Sequence, residues 1–225
     1  MTPKGLSVQD ETLERAARVK RLIGPSWKAH WRSGSQPQVM VKSLDFPLMV
    51  VLNFGKNKGD YEMKRLTKNC TIEHLKLEHY YAINALYSNV NVRAYLGGVP
   101  KESYIESSFR GMLEAPFPNT YLYISLKATD EFIGLVSIDE YHDKDAYELS
   151  YQFLPQYWGQ GYAYEVLTNV IDYGFNVLNL RYLVAETQTA NIASCRLLEK
   201  VGMHKVQVLE RFGHKQAVYE LGKIV

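Results

Sequence analysis

The sequence predicts an α/β fold on three observations. Two strand-like runs, residues 121–127 and 132–141, are joined by a tight turn at Thr129-Asp130-Glu131. Residues 147–154 alternate between polar and apolar side chains. Residues 163–175 carry an apolar stripe at helical spacing.

The hairpin runs are rich in Ile, Val and aromatics, which suit a pleated, half-buried surface. After a turn at Asp143-Lys144-Asp145, Glu148, Ser150 and Gln152 form an outward set on the third strand, with Tyr147, Leu149, Tyr151 and Phe153 turned to the core. Pro155, which has no N–H for a ladder, ends that strand. A helix then opens at residues 159–161 and runs to about residue 176, with Ala163, Val166, Leu167, Val170, Ile171 and Phe175 as its core stripe. Upstream, residues 69–74 read as a strand, and residues 75–87 as a helix with Leu77, Tyr80, Tyr81, Asn84 and Ala85 at helical spacing. A second helical stretch covers residues 103–113 and breaks at residues 116–119. Downstream come a short strand at residues 181–186, a helix at residues 191–201 ended by Gly202, and last strands at residues 206–210 and 217–221.

Charge divides the chain into two regions. Residues 1–60 hold ten Lys or Arg against five acids, a net charge of +5 in a chain whose total is +2. Within this basic extension, residues 10–23 suggest a short helix and residues 39–54 strand-like material, and residues 55–60 read as a linker. Residues 61–225 are expected to be one catalytic domain. The basic arm is read as a solvated extension, with no nucleic-acid partner expected.

The 26 basic and 24 acidic residues, with 46% hydrophobic and 22% charged, describe a soluble globular protein rather than a disordered or membrane one. The longest apolar run, residues 46–54, is interrupted by Pro47 and Asn53 and falls short of the roughly 20 residues a spanning helix needs. No export signal is read in the first 30 residues. Cys70 and Cys195 form no CxxC pair, which fits a reducing compartment, so a cytoplasmic location is expected. The six histidines show no i,i+4 pair and no HExxH, and no metal site is expected.

The segment that carries chemistry is Trp158-Gly159-Gln160-Gly161-Tyr162-Ala163, opening an amphipathic helix after a strand and a proline. Helix N-termini leave backbone N–H groups unpaired and carry about half a positive charge, and glycines let an anion approach them, so a diphosphate suits this place. The segment lacks the Lys-Ser/Thr ending of a Walker loop and the third glycine of a dinucleotide fingerprint.

The runs "ELSYQFLPQYWGQGYAYEVL" and "DYGFNVLNLRYLVAETQTANIASCRLLEKVGM" closely resemble the GNAT acetyltransferases, especially the RimJ/RimL type. The resemblance covers about residues 66–225 and is strongest over residues 148–203; "TIEHLKLEHYYAINALYSNVNVRAYLGG" matches the family's first strand and helix more loosely. It implies a central mixed, mostly antiparallel twisted sheet, with a V-shaped splay between two parallel strands and helices on both faces. It also implies acetyl-CoA as cosubstrate. The family's phosphate loop, Q/R-x-x-G-x-G/A, falls on residues 158–163 with Trp158 in place of Gln or Arg. By that resemblance, backbone N–H groups of Gly159, Gln160, Gly161, Tyr162 and Ala163 hold the pyrophosphate, and the pantetheine arm pairs with backbone near Phe153 and Leu154. Asn191 and Ser194 match the family's N-x-x-S: Asn191 reaches the pantetheine or simply caps its helix, and Ser194 projects toward the sulfur.

Acyl transfer to an amine needs a neutral amine, a polarised carbonyl and a stabilised thiolate. Ser194 is the candidate that hydrogen-bonds or protonates the thiolate, and Glu148 the candidate general base, with Glu140, Tyr151 and His214 as lesser options. Cys195 reads as a core thiol. The expected activity is N-acetyl transfer to a primary amine, either a protein N-terminus or a small molecule, in a chain that associates with no membrane; a homodimer is an expected form. The alternative is a non-catalytic acyl-CoA-binding module acting as sensor or scaffold.

Overall fold

A computed structural model of the chain describes the backbone of residues 27–32, 38–43, 49–54, 61–143 and 145–223, and side chains from residue 64 onward within them. The helix expected at residues 10–23 and the linker at residues 55–60 lie outside the described residues.

Among the described residues, eleven strands form one sheet. Strands β1 (Trp27–Arg32), β2 (Gln38–Ser43), β3 (Met49–Phe54) and β4 (Tyr61–Leu66) make an antiparallel meander, each hydrogen-bonded to the next. The strand-like material expected over residues 39–54 is thus two strands, and β1 and β4 are additions. β1 alternates Trp27, Ala29 and Trp31 with Lys28, His30 and Arg32, a period-two signal inside a Gly/Pro/Ser-rich passage.

β4 pairs with β5 (Cys70–His74) and so joins the meander to the rest of the sheet. Then follow β6 (Thr120–Leu126), β7 (Phe132–Glu140) and β8 (Tyr147–Phe153), all antiparallel. The expected hairpin is present: Asp130 takes a left-handed φ of 56° at its turn. β9 (Tyr182–Gln188), β10 (His204–Arg211) and β11 (His214–Gly222) close the sheet in the order β8-β9-β11-β10.

Helices cover both faces. Tyr80–Tyr87 (α1) follows a single 3-10 turn at Leu77–His79, so the helix expected from residue 75 starts later. The short α2 (Val90–Arg93) and α3 (Glu102–Glu114) lie with α1 on one face, where Ile83, Leu86, Ile105 and Phe109 pack with Leu135 of β7. On the other face, α4 (Tyr162–Asn176) buries Val166, Leu167, Val170, Ile171 and Phe175 against Ile72, Ile124, Val136 and Ile138. At roughly 1.5–3 kcal/mol per fully buried large aliphatic or aromatic side chain, this stripe holds α4 to the sheet. α5 (Ile192–Lys200) joins the same face through Leu198.

Two polar anchors position α4. Arg65 of β4, 2% exposed, pairs with Asp172 Oδ2 at 2.5 Å and donates to the Asn169 carbonyl. Glu165 in the first turn accepts from the Asn69 N–H at 2.6 Å and from Asn69 Nδ2 at 2.7 Å.

The feature that makes the site is the parallel pair. β8 and β9 pair only at Tyr147↔Leu183 and Glu148↔Val184, after which they diverge. From Ser150 onward β8 keeps its β7 partner on one side and presents unpaired backbone on the other. The sheet is therefore mixed, mostly antiparallel and splayed at one point.

Candidate active site

The glycine-containing loop lies where β8 leaves the sheet. A 3-10 turn at Pro155–Tyr157 follows the strand, and Gly159 and Gly161 then adopt φ of 72° and 87°. That left-handed region costs a residue with a Cβ about 1–2 kcal/mol. A Cβ built at either glycine meets nothing within 4 Å, so conformation rather than crowding requires the glycines and the space outside them is open. Gly161 is the N-cap of α4 and supplies no side-chain cap, so the first-turn N–H groups face outward without a side-chain acceptor.

Trp158 has a role that sequence reading did not assign. Its indole N–H donates to the Phe153 carbonyl at 2.7 Å, clasping the loop to the end of β8, while the ring remains half-exposed. Gln160 Nε2 donates to the Gln156 carbonyl at 2.6 Å, and Tyr162 packs edge-on against Tyr157.

Backbone alternation decides which groups of β8 face the splay. The Leu154 N–H donates to the Ile133 carbonyl at 2.9 Å, and its carbonyl accepts from the Tyr157 N–H at 3.0 Å. Leu154 therefore keeps no free N–H for a ligand, a correction to the expectation that it pairs alongside Phe153. In an antiparallel ladder alternate residues turn their N–H and C=O to the same partner, so Tyr151 and Phe153 turn theirs to the open side. Gly134 lies opposite Phe153, and a Cβ there would sit 2.6 Å from the Phe153 ring.

Across the splay, Asn191 caps α5 by accepting the Ser194 N–H on Oδ1 at 3.2 Å. This is the cap that was the alternative to the pantetheine contact expected of Asn191. The Ser194 hydroxyl lies 2.8 Å from the Tyr151 hydroxyl, so a side-chain hydrogen bond spans the gap between β8 and α5. Burial pushes the Tyr151 phenol up to about 12, opposed by its hydrogen bond to Ser194. Cys195 is half-buried, with its sulfur 3.9 Å from the Gln188 carbonyl.

Glu148 differs from its expected setting as an outward strand carboxylate. The "outward" face of β8 looks across a cleft toward α3, so Glu148, Ser150 and Gln152 are half-buried rather than exposed. Burial is the main reason the Glu148 carboxyl is pushed up to about 7, followed by the negative charges of Asp139 and Glu186; hydrogen bonds from the Glu186 backbone N–H and the Ser150 side chain partly offset these. Asp139 stands directly across from it on β7. It accepts from Ser137 Oγ on Oδ1 and from the Tyr121 hydroxyl on Oδ2, each at 3.0 Å, while burial raises its own carboxyl.

Glu186 of β9 is differently placed. Arg211 Nη1 donates to its Oε2 at 2.8 Å and the Tyr141 hydroxyl does so at 2.7 Å. Its carboxylate is ion-paired with Arg211, whereas Asp139 and Glu148 face each other as the carboxyl pair at the root of the splay. Two of the lesser base candidates separate from this pair, Glu140 being exposed at the end of β7 and His214 at the start of β11, while Tyr151 lines the same cleft as Asp139.

Beside the pair a cleft of about 410 Å³ opens between α3 and the sheet, floored by Leu135, Ser137, Asp139, Ser150 and Gln152 and backed by Tyr121. Asp139, Ser137 and Tyr121 were not singled out in the sequence. The available signal was Ser137 and Asp139 two apart in an otherwise apolar strand, placing both on one face. Among the described residues no group of three or more His, Cys, Asp or Glu is placed to hold a metal ion, and no helix is long and apolar enough to cross a membrane.

Residues 69–204 match the family described as acetyltransferase (GNAT) domain. The chain is 27% identical over 146 residues to the uncharacterized N-acetyltransferase YnaD of Bacillus subtilis, covering 62% of this chain and 81% of that one. To the uncharacterized N-acetyltransferase YoaA of the same organism it is 34% identical over 139 residues, covering 58% and 77%. Among solved structures, an acetyltransferase from Agrobacterium tumefaciens superposes with a TM-score of 0.64 at 22% identity, covering 76% of this chain and all of that one. Spermidine N-acetyltransferase from Vibrio cholerae, solved with CoA and spermine, superposes with a TM-score of 0.58 at 23% identity, covering 67% and 92%.

Proposed function

The chain belongs to the GNAT acetyltransferase family and is an N-acetyltransferase, and from that premise we propose that it transfers the acetyl group of acetyl-CoA to a primary amine by direct attack in a ternary complex. The observation that carries this reading is the splay. An unpaired edge of β8 runs between an uncapped, glycine-led helix N-terminus and the Tyr151–Ser194 hydroxyl pair, with a carboxyl group pushed to about 7 at its root.

These residues fit the cosubstrate. The first turn of α4 offers outward N–H groups to a pyrophosphate, Gly159 and Gly161 leave room for it, and Phe153 and Tyr151 offer backbone groups to an amide-bearing arm. Acetyl-CoA supplies the acyl carbon and the thiolate leaving group. Glu148 takes the proton of the attacking amine, a role suited to a carboxylate poised near neutrality. A backbone N–H of β8 polarises the thioester oxygen. As the C–S bond breaks, the Ser194 hydroxyl donates to the sulfur and is itself backed by Tyr151.

A non-catalytic acyl-CoA module accounts for the loop equally well but gives no use to a near-neutral carboxyl buried beside a second acid. We assign catalysis to residues 61–225 and read the β1–β3 segment as an extension of their sheet. The Trp158 variant of the loop supports the RimJ/RimL type within the family.

Release of free thiol from acetyl-CoA, measured with purified protein and a panel of small amines and peptide N-termini, tests this. Turnover that needs an amine and falls by about a hundredfold or more in Glu148→Gln is expected. Saturable binding of acetyl-CoA with no thiol release across the panel would favour the non-catalytic module.

A further inference from the structure

The two carboxyl groups at the root of the splay are held from opposite sides. The Glu148 carboxyl accepts the backbone N–H of Glu186 on β9 and the Ser150 side chain, which ties it toward the splay. The Asp139 carboxylate accepts from Ser137 Oγ on its own strand and from the Tyr121 hydroxyl on β6, which ties it toward the cleft. Of the pair it is Asp139 that lines the cleft, and among the described lining residues there is no lysine or arginine. An ionised carboxyl has about four lone-pair sites, so two donated hydroxyls leave room for further donors. A primary amine arrives from neutral water as an ammonium, which brings three donors and the opposite charge.

Strand register sets the two acids side by side. Asp139 and Glu148 are directly opposite on β7 and β8, a relation that places Cβ atoms about 4.5–5.5 Å apart. Ser150, on the same face, both lines the cleft and hydrogen-bonds Glu148. The other ionisable groups that face the pair keep their state when a ligand enters. Glu186 is paired with Arg211 of β10, and burial makes the phenols of Tyr121 on β6 and Tyr87 on α1 hold their protons more tightly than usual. Ser108, Gly111 and Met112 of α3 bring no charge to the opposite wall. What neutralises Asp139 is therefore felt by Glu148.

We propose that Asp139 is a second catalytic carboxyl, which binds the acceptor in the cleft as an ammonium while Glu148, opposite it, takes the proton. This assignment rests on the amine-acetylation reading and adds the group that the acceptor meets first. An ammonium on Asp139 cancels the charge that opposes ionisation of Glu148, so arrival of the acceptor readies the base. Transfer of one N–H proton to Glu148 leaves a neutral amine, and the restored charge of Asp139 then holds that proton in place. The amine lone pair forms the C–N bond, the C–S bonding pair departs with the sulfur, and a second N–H proton reaches that sulfur through Ser194. Glu148 returns its proton to water. Ammonium and acetyl-CoA thus yield amide, free thiol and one proton.

Initial-rate kinetics test this in wild type and Asp139→Asn, with butylamine as the reference monoamine beside the fastest amine of the thiol-release panel. In wild type the acid limb of kcat, which reports the loaded enzyme, should lie about one pH unit or more below that of kcat/KM, which reports the free enzyme. Asp139→Asn should raise KM for the amine about tenfold or more, the range of a charge-assisted hydrogen bond, with KM for acetyl-CoA unchanged. Its two acid limbs should coincide below the wild-type kcat/KM limb. Coincident limbs in wild type overturn the proposal without any variant. An unchanged amine KM in Asp139→Asn overturns it too, as does an equal rise in KM for both substrates, which marks general damage to the cleft. These failures leave the base reading standing provided that Glu148→Gln still loses the acid limb. Full activity with an intact limb in Glu148→Gln, or no thiol release with any amine, sinks that reading and this proposal together.

Discussion

The two halves of this site are made of different material. The half at residues 153–163 is made of backbone: two left-handed glycines, an uncapped helix end and a strand edge without a partner. The half at Asp139, Glu148 and Ser150 is made of side chains whose properties come from what covers them. A backbone site tolerates exchange of most side chains but not of its glycines. A side-chain site keeps its shape under conservative exchange and loses its chemistry.

The largest expected effect breaks the second half. Glu148→Gln should lower kcat/KM by about a hundred- to ten-thousandfold, the usual range for a general base, with CoA affinity unchanged. The pH profile sharpens this. Wild-type kcat/KM should fall about tenfold per unit below the Glu148 pKa of about 7, and the variant's residual activity should lose that limb. The stability consequence has the opposite sign from an ordinary salt-bridged acid. A carboxyl whose folded pKa is raised favours the fold below its unfolded value, and that advantage disappears as pH rises through about 7. Glu148→Gln should therefore melt higher than wild type at alkaline pH, by up to about 3 kcal/mol, and show no advantage at acid pH. A variant with full activity and an intact acid limb would remove Glu148 from the mechanism.

Ser194→Ala comes next, with kcat reduced about a hundredfold and CoA affinity little changed. Tyr151→Phe should lower kcat less, since it removes the hydroxyl behind Ser194 rather than the one facing the sulfur. Unchanged turnover in Ser194→Ala would return that residue to a purely structural place at the start of α5.

Gly161→Val attacks the backbone half. A β-branched residue at φ 87° strains the turn and sets a side chain in the open space, so acetyl-CoA should bind about tenfold more weakly while the Glu148 limb of the pH profile stays in place. Equal CoA affinity, read by calorimetry, would move the pyrophosphate elsewhere. Asn191→Ala should have the smallest effect, a loss of about 1 kcal/mol in thermal or denaturant unfolding from removal of the cap.

Legibility in the sequence followed the same division. Residues 147–153 and 162–176 were readable because Pro155, the glycines and the apolar stripe act within a few residues of themselves. The hairpin at residues 120–140 was readable for the same reason. β1 and β4 were not foreseen: β1 lies among turn-forming residues, and β4 carries Arg65, a charge on its buried face that makes sense only with Asp172 of α4 opposite. Leu154 was assigned to the ligand because its sequence position cannot say which strand its N–H faces.

What the sequence by itself determined is the local framework: which residues form the strand, the anion-binding turn and the helix, and which hydroxyl and carboxylate stand near them. Glycine conformation, helix capping and apolar periodicity are short-range effects that a reader of one chain can follow. Only the tertiary structure decided that Glu148 is half-buried beside Asp139, that Arg211 pairs with Glu186, and that Tyr151 meets Ser194 across the splay. Those facts depend on strand register and burial between residues far apart in the chain. The proton affinity of a carboxylate is set by solvent exclusion and neighbouring charge, and neither exists until the sheet has closed around it.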